Sequence, residues 1–154
     1  RHLRRLKRLH FYNRQHLTVN GEAVEAAAGT YCVIERAWKC GDEITVKFDM
    51  RTQIIYAADI DPNADAESIC HLALQRGPVM LARDSQLGED VTSAVTVIDN
   101  GGYAEVEAVA VDAIPVKQAY RVKTTDGYIT VVDYPSAGQN WDPAMPITIW
   151  ITTK

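Results

Sequence analysis

Short runs of alternating apolar and polar residues constrain the fold of this chain more than any other feature. The clearest run has its apolar positions at Ile44, Val46, Phe48 and Met50. Successive side chains of a strand point to opposite faces, so this run predicts a strand with all four of these residues facing a core. After residue 16, turn signals separate such runs roughly every eight to twelve residues, as in sandwiches and barrels. We therefore predict an all-β antiparallel sandwich, jelly-roll-like.

The turn signals also predict where neighbouring strands connect. Asn20-Gly21 and Asp126-Gly127 each lie between runs with strand character, and Arg76-Gly77-Pro78 follows another. Asn-Gly and Asp-Gly favour the tight turns of β-hairpins because both residues tolerate a positive φ. The Ile147–Thr152 run predicts a last strand with Trp150 in the core.

Composition limits the class of protein. The 154 residues are 47% hydrophobic and 23% charged, which suits a soluble globular domain. No apolar run reaches the ~20 residues of a membrane span. Residues 1–16 contain six basic residues and no acid, which leaves ten basic and twenty acidic residues and a net charge of −10 beyond them. An acidic body repels phosphate, so nucleic acid is not expected as a partner.

The basic start is predicted to be a separate segment. Leu3, Leu6 and Leu9 are spaced as on a short amphipathic helix, and the alternative is a disordered terminus. We assign residues 1–16 to this segment and residues 17–154 to the β-sandwich domain, with a possible internal boundary at 86–90.

No constellation of residues predicts catalysis or a cofactor. The sequence has no nucleophile elbow, triad-like motif or phosphate-binding loop. The acidic stretch 59–67 spaces oxygen ligands as calcium loops do, but Ala64 replaces the turn glycine, so a solvated loop is favoured. Cys32, Cys40 and Cys70 lack metal-ligand spacing; a Cys32–Cys40 bridge is the alternative to free thiols. We predict no catalytic residue, no metal and no cofactor.

Aromatic residues provide the one candidate binding site. Sugar rings stack on flat aromatic faces, and Trp141 in the loop 136–142 is flanked by groups that could bind hydroxyls. The favoured interpretation is nevertheless that Trp141 anchors its loop. The candidate carbohydrate-binding residues are Trp141, Tyr134, Asn140, Asp142 and Trp38.

Several ordered motifs carry a family resemblance. They are Asn20-Gly21, the stretch from Tyr31 to Asp42, Arg76-Gly77-Pro78, and Asp133-Tyr134-Pro135-Ser136-Ala137-Gly138 with Trp141. In this order they resemble the C-terminal β-sandwich region of glycoside hydrolase family 127 and its β-L-arabinofuranosidase-like relatives. The resemblance covers about residues 17–154.

The resemblance implies a non-catalytic role for this chain. In that family, cysteines associated with zinc and a glutamate in a helical barrel cleave arabinofuranosides, and none of these residues maps onto this chain. The chain is thus expected to be a non-catalytic domain that packs against and stabilises such a barrel. The alternative is an independent carbohydrate-binding module. For the parent protein the resemblance implies a periplasmic or secreted hydrolase of carbohydrate metabolism that acts on plant-type glycans.

Overall fold

The computed structural model of the protein describes residues 4–10, 15–27, 30–61, 63, 65, 68–139 and 142–154, with side chains from residue 16 onward. The chain forms two compact units, Arg1–Met50 and Arg51–Lys154. The division falls at Met50, whereas the stretch 86–90 lies inside the second unit. The strands of the first unit are β1 Arg4–His10, β2 Gln15–Val19, β3 Glu22–Val24, β4 Tyr31–Ala37 and β5 Ile44–Phe48.

The first unit consists of a three-stranded sheet and a two-stranded ribbon. The sheet has the order β3-β2-β5, and β1 pairs with β4. Asn20 and Gly21 have φ of 52° and 82°, so the predicted hairpin turn between β2 and β3 is confirmed. The buried residues Leu17 and Val19 of the sheet pack with Cys32 and Ile34 of the ribbon. The partly buried residues around them are Val24, Ala26, Trp38, Ile44 and Val46.

The predicted N-terminal helix is wrong for Arg4–His10, which forms strand β1. Its pairing with β4 is antiparallel and runs from Arg4 opposite Ala37 to His10 opposite Tyr31. A helix this short is marginal in water, whereas a ladder along a seven-residue strand supplies backbone hydrogen-bond partners from another part of the chain.

Of the run 44–50, the prediction that alternate residues face the core is correct for the first two apolar positions and wrong for the last two. Ile44 and Val46 are half-buried against the small core, but Phe48 is 50% exposed and Met50 40% exposed. Strand β5 pairs with β2, and this pairing ends where Phe48 lies opposite Gln15. Beyond this point the described part of the sheet provides no opposing layer, so placing both side chains in the core was wrong.

A hydrogen-bond network ties the turn at Asn20 to the loop before β5. The Asn20 amide donates to Asp42 Oδ1 at 2.8 Å, and Lys39 N donates to Asp42 Oδ2 at 2.7 Å. These hydrogen bonds hold the pKa of Asp42 below its usual range, with the larger effect from the Lys39 backbone N–H and a smaller one from the Asn20 side chain. The Arg36 guanidinium, 3.8 Å from Asp42 Oδ1, lowers this pKa further.

This lowered pKa predicts an acid sensitivity of the first unit. A carboxyl with a lower pKa in the folded state stabilises that state above its unfolded pKa, about 3.9, and loses the contribution as the pH falls through the folded value. We expect the stability of the unit to fall below about pH 4, and Asp42→Asn to flatten this part of the curve. Urea unfolding followed at several pH values measures it. An unchanged curve in the variant would contradict the role of Asp42.

The second unit is a nine-stranded sheet with a few short helical turns. Its helix α1 is Ala57–Ile60, and the 3-10 turns are Ser68–Cys70, Ser85–Leu87 and Tyr134–Ser136. Its strands are β6 Thr52–Tyr56, β7 His71–Arg76, β8 Val79–Asp84, β9 Tyr103–Ala104, β10 Val106–Ala108, β11 Ala119–Thr124, β12 Gly127–Asp133, β13 Ile147–Thr148 and β14 Ile151–Thr152.

The strand order brings the two ends of this sheet together. The order is β10-β11-β12-β8-β7-β6-β9, and β13 and β14 add to β8 and β7. The end strands β9 and β10 are separated in sequence by Glu105 alone, so the segment 103–108 pairs with β6 at one end and β11 at the other. The all-β antiparallel prediction is confirmed. The sheet of this unit, however, is nearly closed and barrel-like in place of the two clear layers of a jelly roll.

The core of the second unit lies inside this sheet. Gly77, with φ of 56°, makes the two-residue turn between β7 and β8, as Arg76-Gly77-Pro78 predicted. Trp150 is 43% exposed, so its predicted core position is wrong. It follows β13, which has two residues, and the chain bends there, so alternation does not continue into β14. The buried core residues are Ile54, Leu72, Leu74, Leu81, Val97, Ala104, Tyr120, Val122, Ile129, Val131 and Ile151.

Candidate functional site

The loop 134–146 has a buried carboxylate beneath it. Asp84, at the end of β8, is 1% exposed and accepts hydrogen bonds from Gly138 N at 2.8 Å and Gln86 N at 2.9 Å. Pro146 O accepts a further bond from Ser85 N at 3.1 Å. A buried carboxylate needs such donors, since its desolvation is costly without them. Asp84 therefore fixes the middle of the loop to the end of β8.

A second buried carboxylate holds the start of the same loop. Asp133 accepts from Gln118 N at 2.8 Å and from the Ser136 hydroxyl at 2.7 Å. Ser136 Oγ in turn accepts a bond from Lys117 N at 3.3 Å. These contacts join the beginning of the loop to the segment before β11. Each carboxylate satisfies backbone donors, so the part of the loop they contact is held rigidly.

The described part of the loop presents Tyr134 to solvent. Tyr134 is 46% exposed beside the buried Asp133, so its ring is available on a fixed base. Asp142 is exposed; its side chain accepts from Ala144 N at 2.9 Å and its carbonyl from Met145 N at 2.8 Å, which makes a local turn. Asn140 and Trp141 lie outside the described residues, so their predicted roles stay predictions.

Trp38, the fifth predicted site residue, belongs to the first unit. It is partly buried against the core of that unit, and the Arg36 guanidinium lies 5.3 Å from the centroid of its ring. A cation at this distance interacts with the face of an indole ring. Trp38 is therefore at least partly occupied in structural contacts.

A buried arginine supports the neighbouring loop 88–93. Arg83 is 2% exposed, and its guanidinium donates to the carbonyls of Asp90 at 2.8 Å, Ser93 at 3.1 Å and Val91 at 3.2 Å. Glu89 Oε2 lies 3.7 Å from it, and Glu89 Oε1 accepts from Thr130 N at 2.8 Å. The arginine donates to three loop carbonyls, of which that of Asp90 also accepts from the Ser93 hydroxyl at 2.8 Å, so its role in this site is structural.

The described residues offer no metal centre. Within residues 16–27, 30–61, 69–139 and 142–154, with the few described positions between, no group of three or more His, Cys, Asp or Glu side chains is placed to hold an ion. Asp59 and Asp61 of the acidic stretch are exposed. Cys32, Cys40 and Cys70 form no disulfide, so the alternative Cys32–Cys40 bridge is not formed. No described helix is long and apolar enough to cross a membrane.

Asp84, Arg83 and Asp133 organise this site, and none of them was predicted from the sequence to do so. Their signal was present: Arg83-Asp84 ends an otherwise apolar strand, and Asp133 follows Val131-Val132. Charged residues next to such runs are expected at strand ends near the surface, and their burial follows from partners elsewhere in the chain.

The fold is shared with solved glycoside hydrolases. A structure described as a glycoside hydrolase matches with a TM-score of 0.68 and 19% identity over 97% of this chain and 28% of its own. A GH127 β-arabinofuranosidase matches with a TM-score of 0.65 and 19% identity over 97% of this chain and 25% of its own. A GH127 β-L-arabinofuranosidase from Geobacillus stearothermophilus T6 matches with a TM-score of 0.63 and 19% identity over 92% of this chain and 25% of its own. The chain thus spans about a quarter of these structures.

A sequence comparison points in the same direction for the first unit. The family described as "Beta-L-arabinofuranosidase, GH127 middle domain" matches residues 8–50. This match ends where the first compact unit ends, at Met50. A comparison with curated proteins finds no match.

Proposed function

We propose that the chain is a non-catalytic accessory β region of a glycoside hydrolase related to family 127, which packs against and stabilises a helical catalytic barrel. The observation that carries this proposal is the coverage: nearly the whole chain aligns with about a quarter of each similar enzyme. The middle-domain match to residues 8–50 supports it. The parent protein is then a periplasmic or secreted hydrolase of carbohydrate metabolism that acts on plant-type glycans.

The outer face of β4 is the proposed contact with the barrel. Cys32 and Ile34 face the core of the first unit, and Tyr31 and Val33 alternate with them and are exposed. Large apolar side chains exposed next to each other on one strand face are typical of interaction sites. We therefore place the barrel against this face of the ribbon.

Reconstitution tests the accessory role. The barrel of a family 127 arabinofuranosidase, expressed without its own β region, is mixed with the purified chain. Ligand at a hundredfold excess over Kd stabilises a folded protein by about 2.7 kcal/mol, so the unfolding temperature of the barrel should rise by several degrees. Val33→Asp should abolish the shift, and Tyr128→Asp, on an exposed hairpin of the second unit, should preserve it. No complex and no shift would overturn the proposal.

The alternative, an independent carbohydrate-binding module, is supported by the exposed ring of Tyr134 on its rigid base. Glycan titration of the same preparations separates the two functions. The accessory role predicts no binding and no hydrolysis of a chromogenic arabinofuranoside by the chain alone. Saturable glycan binding that Tyr134→Ala or Trp141→Ala removes without unfolding the protein would favour the module instead.

A further inference from the structure

The chain contains two Asn-Gly dipeptides in different surroundings, Asn20-Gly21 and Asn100-Gly101. In such a pair the backbone nitrogen of the glycine can attack the side-chain carbonyl carbon of the asparagine, because glycine has no side chain to hinder the approach. Gly21 and Gly101 both have positive φ, and a Cβ added to either meets nothing within 4 Å. Steric access at the two glycines is therefore matched.

The side chain of Asn20 is held at both ends. Its Nδ2 donates to Asp42 Oδ1 at 2.8 Å, and its Oδ1 accepts from Glu43 N at 2.8 Å. Rotation of this amide toward the nitrogen of Gly21 breaks both hydrogen bonds. The network that fixes the turn thus also keeps the reactive carbon away from the nucleophile.

Asn100 has no comparable restraint. Its backbone N–H donates to Tyr103 O at 2.9 Å, but its exposed side chain has no hydrogen-bond partner among the residues that the structure describes. Its amide is free to rotate in the loop between residue 99 and β9. Of the two dipeptides, this one can reach the geometry of attack without losing a side-chain hydrogen bond.

We propose that Asn100 is a site of spontaneous deamidation and that the contacts of Asn20 protect it. The Gly101 nitrogen bonds to Cγ of Asn100 and loses its proton, the Cγ–Nδ2 bond breaks, and ammonia leaves with that proton. The cyclic imide formed then takes up water at either of its two carbonyl carbons. The products are aspartate and isoaspartate at position 100.

The modification would act where the sheet of the second unit closes. Asp99 accepts from Gly102 N at 2.6 Å and from the Tyr56 hydroxyl at 2.9 Å, and Gly102 O accepts from Ile54 N at 2.9 Å. Isoaspartate adds one methylene to the backbone just before these contacts and a carboxylate next to Asp99. Both changes weaken the link between the loop and β6.

Ageing of the intact folded chain tests the proposal. The protein is kept at mildly alkaline pH, and digested samples are analysed for the mass increase of amide-to-acid conversion at each asparagine. Because a hydrogen bond to the charged Asp42 carboxylate and one from the Glu43 backbone amide hold the Asn20 side chain, we expect Asn20 to react at least roughly tenfold more slowly than Asn100. In urea the two rates should converge. Equal rates in the folded chain, or a slower Asn100, would overturn the proposal.

A variant and a second readout sharpen this test. Asp42→Ala removes one restraint and should raise the rate at Asn20 while the rate at Asn100, in the other unit, stays unchanged as an internal reference. If this variant unfolds the first unit, the rate at Asn20 should equal the rate in urea; a lower rate contradicts the proposal. Deamidated protein should also show faster hydrogen exchange at Ile54 N than fresh protein, and unchanged exchange there would refute the proposed effect on sheet closure.

Discussion

Arg83→Ala should lower the free energy of unfolding of the second unit by about 3–5 kcal/mol, since hydrogen bonds to charged groups contribute about 1.5–3 kcal/mol each and the truncation leaves a cavity. The substitution removes the shared donor of three carbonyls, those of Asp90, Val91 and Ser93. Urea unfolding monitored by intrinsic fluorescence measures the loss.

Two further variants make this result specific. Arg83→Lys retains a charge but has a single nitrogen, so it should recover only part of the stability. Arg121→Ala changes an exposed arginine of β11 in the same unit and should cost less than about 0.5 kcal/mol. A loss at Arg83 as small as that at Arg121 would show that the loop 88–93 is not held by the guanidinium.

Asp84→Ala is expected to have an effect of similar size, about 3–5 kcal/mol, because two charge-assisted hydrogen bonds disappear and two amides lose their acceptor. The affected amides belong to Gln86 and Gly138. The loop should also become more sensitive to protease between residues 137 and 146, while its start stays held by Asp133. Chemical unfolding and limited proteolysis measure the two effects.

The controls follow from the same geometry. Asp84→Asn keeps an oxygen acceptor for one amide but turns an NH2 group toward the other, so it should be intermediate. Asp112→Ala removes an exposed carboxylate from the same unit and should leave stability and cleavage unchanged. Cleavage of the loop at the wild-type rate in Asp84→Ala would refute the anchoring role.

Local turn chemistry made part of the fold predictable. The turns at Asn20-Gly21 and after Arg76 depend on positive φ at residues that adopt it readily, and the structure has both. Strand pairing over long distances was not predictable in this way. Arg4–His10 is a strand because of residues 31–37, and Phe48 is exposed because its sheet ends there. Closure of the second sheet depends on the pairing of Tyr103–Ala104 with β6. The alternation of apolar and polar residues along the sequence does not predict which strands pair.

The candidate site shows the same limit. The sequence named Tyr134 as a candidate sugar-binding residue just before the predicted loop 136–142. It did not predict that Asp84 would lie beneath that loop. The bond from Gly138 N to Asp84 joins residues 54 positions apart in the chain, and burial of the carboxylate results from that long-range contact. Sequence motifs thus named candidate surface residues, whereas the contacts that support the loop depend on the tertiary structure.

The position of β14 has a consequence for how the protein is made. Ile151 is fully buried in the core of the second unit, where it pairs with Leu72 of β7. Residue 151 therefore has to leave the ribosome before this core can be completed, whereas the strand pairs described for the first unit lie within residues 4–48. Domains generally fold as units during synthesis, so we expect the first unit to fold first. Until residue 151 is available, the apolar side chains of β6 to β8 then stay exposed to solvent. That interval is when the nascent chain most needs a chaperone.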